Sequence, residues 1–138
     1  MHRLCLTVGL ALVAGAAHAQ SEARVFKCAF DTECVGTEGC GSSEYELRFT
    51  HFPPTPFATQ GMVERQRIEV EDVNDTVQAM PTGSLDGTVR GFVSVRANGD
   101  QTMLTLAEDG TARYSVHFPG SDIAIYYKGR CEPAVAGQ

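Results

Sequence analysis

The sequence predicts an all-β domain, an antiparallel meander forming a small seven- to eight-stranded barrel or sandwich, bonded by disulfides. Three observations predict it. Alternating apolar and polar runs fill the second half of the chain, with short Gly-, Asn- and Pro-bearing turns between them. Four cysteines remain once an amino-terminal leader is set aside. The chain beyond that leader has the length of one domain.

The leader comes first. Met1-His2-Arg3 is a short basic start, and no charged residue occurs from Leu4 to Ala17. Ala17-His18-Ala19 then fits the small-x-small pattern of a signal-peptide cleavage site. The apolar run is too short to cross a bilayer of about 30 Å. We expect residues 1–19 to be a signal peptide and residues 20–138 a single β domain, periplasmic or secreted, with no stable membrane insertion after cleavage. Cleavage removes Arg3 alone among the eleven Lys and Arg residues and none of the seventeen Asp and Glu residues, leaving a balance of −7. All of that net charge lies before Thr88. An acidic chain is a poor partner for nucleic acid, which requires a basic face.

Arg24–Phe30 opens the domain as a strand, with Phe26, Cys28 and Phe30 on one face. Residues 31–43 read as a Gly-rich, cysteine-bearing loop. Glu44–His51 alternates cleanly, with Tyr45, Leu47 and Phe49 inward. The prolines at 53, 54 and 56 then make a rigid connection. Met62–Val73 is a weaker strand. Val73, Val77 and Met80 stand at helical spacing, so a short helical turn before Pro81 is an open alternative. Residues 82–87 break the pattern.

Four strands follow: Thr88–Ala97, Gln101–Ala107, Thr111–Phe118 and Asp122–Arg130. They are joined at Asn98-Gly99, Glu108-Asp109-Gly110 and Pro119-Gly120-Ser121. Alternation assigns Val89, Val93, Val95, Leu104, Leu106, Tyr114, Val116, Phe118, Ile123, Ile125 and Tyr127 to the core. It assigns Ser94, Arg96, Thr105, Ser115 and His117 to the outer face, together with Arg90, Phe92, Met103, Arg113, Tyr126 and Lys128. The last six mix aromatic, Met and basic side chains on a face that should be polar. They are the candidate binding face, because aromatic and arginine side chains favour interface centres. The alternative is that another segment, such as residues 62–81, covers this face as a second core layer.

Cys28, Cys34, Cys40 and Cys131 allow three pairings, and sequence alone does not choose among them. The favoured set is Cys34–Cys40, closing a short flexible loop, with Cys28–Cys131, tying the first strand to the last. Their spacing does not match a zinc site, and no metal or cofactor is expected. No nucleophile elbow, phosphate loop or His-Glu-x-x-His occurs, so no catalytic residue is assigned. His117, near Ser115 and Asp122, reads as an exposed histidine brought there by alternation alone.

Val25-Phe26-Lys27-Cys28 near the start and Tyr126-Tyr127-Lys128-Gly129-Arg130-Cys131 near the end resemble small exported proteins of proteobacteria. A more distant similarity is to periplasmic inhibitors of c-type lysozyme, small barrels with a cysteine near each end. No counterpart is found of the Ser-Gly and Tyr motif that those inhibitors insert into the lysozyme cleft. Together these readings imply a non-enzymatic binding or envelope-maintenance module with a protein partner, or an inhibitor of a secreted hydrolase.

Overall fold

A computed structural model describes residues 23–52, 67–82 and 89–134. The expected leader and the Pro-rich connection at 53–57 lie outside them. Eight strands follow in order: β1 (Arg24–Val35), β2 (Cys40–Phe52), β3 (Arg67–Glu71), β4 (Thr76–Thr82), β5 (Val89–Val95), β6 (Gln101–Ala107), β7 (Thr111–His117) and β8 (Ala124–Ala134). Each pairs antiparallel with the next, and β8 returns to β1 to close a barrel. The choice between barrel and sandwich falls to the barrel. Closure removes the free edges that an open meander would expose. No helix occurs among the described residues.

The first hairpin is longer than its glycines suggest. Thr32 pairs with Ser42, Glu33 with Gly41 and Cys34 with Cys40, beyond an irregularity between Phe30 and Thr32. The expected loop therefore shrinks to a tight turn, in which Gly39 takes a φ of 108°. The helical turn considered near Pro81 is instead strand β4. Its register, Ile68 with Ala79 and Val70 with Val77, buries alternate residues against β3.

One strand has the opposite phase from that expected. In β5, Phe92 is 3 % exposed and Ser94 is buried, while Val95 is exposed. Phe92, Ser94 and Arg96 therefore point inward, and the assignment of Val93 and Val95 to the core is corrected. The cause is the turn. A two-residue Asn98-Gly99 turn would pair Val93 with Leu104. The chain instead pairs Val95 with Gln101, and Gly99, at a φ of 90°, donates its N–H to the Arg96 carbonyl at 2.9 Å. The extra loop residue is that of a type I turn with a Gly bulge, and it slips the register by one. Phe92 then faces Leu104 and Ser94 faces Thr102. The buried Ser94 and Thr102 hydroxyls satisfy each other at 2.6 Å. Glu108-Asp109-Gly110 makes the same turn between β6 and β7, with Gly110 at a φ of 86°.

Aromatic rings fill the barrel. Phe26 stacks on Phe49 at 4.7 Å, and Phe49 meets Phe92 at 5.3 Å. Further along, Phe30 sits among Tyr45, Tyr114 and Tyr127. Truncating Phe92 to Ala should cost about 3 kcal/mol, the low end for a buried aromatic. A urea midpoint within error of the parent would contradict its inward placement.

The seam between β8 and β1 is tight. A Cβ added at Gly129 would lie 2.0 Å from the Ala29 carbonyl oxygen and 2.6 Å from the Phe30 Cα, so only glycine fits there. Both favoured cysteine pairs are at bonding distance: Cys28 with Cys131 across the seam, and Cys34 with Cys40 across the first hairpin.

Candidate binding face

Among the described residues, polar chemistry gathers in a buried cluster at one end of the barrel and in a groove on its outer wall. Both follow from the register.

The buried cluster centres on Asp72, whose side chain is only 2 % exposed. Asp72 closes the β3–β4 turn, where its Oδ1 accepts the N–H groups of Asn74 at 2.8 Å and Asp75 at 3.1 Å. Its Oδ2 accepts the Tyr45 hydroxyl at 3.0 Å and the Arg96 guanidinium. The Tyr114 hydroxyl approaches Tyr45 and Arg96 but meets neither in hydrogen-bond geometry. Burial alone would raise the Asp72 pKa, but the bonds from Arg96, the turn amide and Tyr45 outweigh it and hold the carboxyl below its ordinary value. Burial lowers the Arg96 affinity for its proton, and Asp72 and Tyr114 more than restore it, for a net upward shift. Burial, with Tyr114 and Asp72 nearby, raises Tyr45 well above the usual phenol value. Tyr127 is pushed up to about 12 by burial and by Glu33. Every acceptor position of the Asp72 carboxylate is in use. These bonds tie the middle of β2 to the residues just beyond the ends of β3 and β5.

The outer wall is organised in rows, because directly paired residues point to the same side of a sheet. One row runs across six strands: Met80 of β4, Val93 of β5, Met103 of β6, Ser115 of β7, Tyr126 of β8 and Cys34 of β1, bonded to Cys40 of β2. Met80 is 65 % exposed, Met103 46 % and Tyr126 45 %. Ser115 is covered, its hydroxyl 3.3 Å from His117 Nε2, and the His117 ring meets Tyr126 edge-on at 6.0 Å. Ser115 is only 6 % exposed, while His117 is open to solvent.

The neighbouring row is polar: Thr82, Gly91, Thr105, Arg113, Lys128, Thr32 and Ser42. Arg113 and Lys128 are direct cross-strand partners, and neither forms an ion pair among the described residues. A groove of about 490 Å³ lies over the two rows, lined by Cys34, Met103, Thr105, Arg113, Ser115, Tyr126 and Lys128, among others.

No protein-family model, curated protein or solved structure matches this chain. The reading of this face therefore rests on its own geometry.

Of the six residues assigned to the face from sequence, Met103, Arg113, Tyr126 and Lys128 line one groove. Phe92 does not belong to it; it is a core residue. Arg90 pairs with Leu106 in β5, and its side chain lies outside what the structure describes. Met80, Val93 and the Cys34–Cys40 pair join the row without having been singled out. The register of three hairpins would have revealed them, but that register depends on turn geometry that composition does not specify.

Proposed function

We propose that the mature chain is an exported binding module, acting outside the cytoplasm, that holds a protein partner on the outer wall of β4–β8. The observation that carries this reading is the row of exposed Met80, Met103 and Tyr126 beside Arg113 and Lys128. Large apolar groups left half exposed on the solvated wall of a closed barrel contribute less to folding than buried ones would. Aromatic, Met and Arg side chains together are the composition of interface centres. The leader-like first nineteen residues and the two cysteine pairs support export.

Met103→Ser with Tyr126→Ser is the test. These side chains are half exposed, so the unfolding free energy should change by about 1 kcal/mol per site, well short of the loss for a buried aromatic. Capture of the partner retained by the parent protein from periplasmic extract should fall at least tenfold. A large loss of stability, or undiminished capture, would remove the proposal. If the partner is a secreted hydrolase such as lysozyme, the parent protein at micromolar concentration slows it and the double variant does not.

A further inference from the structure

We infer that the groove takes an acidic segment of the partner, in extended conformation, whose carboxylates alternate with apolar or aromatic side chains. This rests on the proposed binding role and specifies its chemistry.

The first argument is charge. The whole chain carries a net −6. Three other cations are matched: Lys27 lies 3.4 Å from Glu46, Arg67 is 3.4 Å from Glu69, and Arg96 is paired with Asp72, while Arg24 and Arg130 are in none of these pairs. Arg113 and Lys128 are set apart by their place on the groove. They stand side by side across β7 and β8 and are exposed, and none of the ion pairs among the described residues includes either. A cationic pair on an acidic protein attracts an anionic group at that spot. The acidic partner is thereby oriented as well as attracted.

The second argument is spacing. Tyr126 and Lys128 are two residues apart on β8, so the apolar and cationic rows are about 7 Å apart, twice the rise per residue of a strand. Each row crosses its strands at about 4.8 Å intervals. A segment lying along the groove edge-on sends successive side chains to opposite sides. One side of the segment then faces the row of Met103 and Tyr126, and the other faces the row of Arg113 and Lys128. Alternation of apolar and acidic residues satisfies both rows, whereas an acidic block or an apolar block satisfies one.

The probe is a fluorescein-labelled peptide, Gly-Glu-Tyr-Glu-Leu-Glu-Gly. Its counterpart has lysine in place of each glutamate. Vesicles of phosphatidylglycerol test a membrane surface as the source of negative charge. The glutamate peptide should bind the oxidised protein by fluorescence anisotropy. Arg113→Glu with Lys128→Glu should weaken it at least tenfold and reverse the preference toward the lysine peptide. Arg113→Gln with Lys128→Gln should fall between. Equal binding of both peptides, an unchanged affinity after charge reversal, or binding to vesicles but not peptide would each overturn the inference. Partner capture separates this outcome from the broader reading. If Tyr126→Ser abolishes capture while charge reversal leaves it intact, the face binds a protein but not through an acidic segment. If neither variant affects capture, the binding face itself is wrong.

Discussion

Replacing Cys28 and Cys131 with alanine is expected to lower the unfolding free energy by about 4.7 kcal/mol, the chain-entropy value for a loop of roughly a hundred residues. The two cysteines are separated by 103 positions and are direct partners across the β1–β8 seam. The bond therefore fixes the contact that a meander must form last, the closure of its two ends. No other pairing in the barrel spans so much chain, and each remaining hairpin closes locally. Cys34–Cys40 spans only 6 positions, so its removal should cost about 2 kcal/mol by the same rule. Since a small domain has about 5–15 kcal/mol in total, the first loss takes a large share and the second a modest one. Guanidinium titration of the two double variants gives the order directly. If the hairpin variant proves the less stable of the two, the seam is not the dominant constraint.

Arg96→Met is expected to be nearly as damaging, at about 3–5 kcal/mol, the usual cost of stripping one member from a buried ion pair. The methionine fills similar volume, so the loss is electrostatic. Asp72 would keep its turn amides and Tyr45 but lose its only cationic partner among the described residues. The effect has a pH signature. In the parent the Asp72 carboxyl is held below its ordinary value, so it contributes stability above about pH 4, the unfolded-state range. That contribution is lost as pH falls through the lower, folded value. In Arg96→Met the guanidinium no longer lowers the folded-state value, so the Asp72 contribution shrinks and less of it is left to lose on acidification. Thermal unfolding from pH 2 to pH 7 should show a shallower acid limb for the variant, its gap to the parent narrowing as pH falls. Parallel limbs would mean that Arg96 acts by packing alone.

The meander itself was legible because β6, β7 and β8 announce themselves by strict alternation and by glycines at their turns. The core positions Leu104, Leu106, Tyr114 and Tyr127 follow from that pattern alone. The phase of β5 was not legible. Three valines on one side outnumber one phenylalanine on the other, and only the number of residues in the Asn98-Gly99 turn decides which set faces in. Ser94 and Arg96 sit inside because Thr102 and Asp72 receive them, and those partners come from other strands. The Asp31–Ser43 segment was masked by glycines that proved compatible with a tight hairpin. At the candidate face, Arg113, Tyr126 and Lys128 follow from simple alternation on well-behaved strands. Phe92 was misplaced because its face inherited the one-residue error of its turn.

The seam bond also decides how the molecule bears a load. Chain enters the barrel just before Cys28 and leaves just after Cys131, and these two residues are joined. A pull applied to the two ends of an oxidised molecule therefore runs from one terminal stretch to the other across a covalent bridge. The strands between residues 28 and 131 carry none of it. Stretched in a force spectrometer, the oxidised protein should extend by the length of its two tails and then stop. The reduced protein should give way strand by strand, beginning with β1 and β8. A protein tethered at both ends in a mechanically stressed compartment would keep its outer wall, and the face on it, intact under tension.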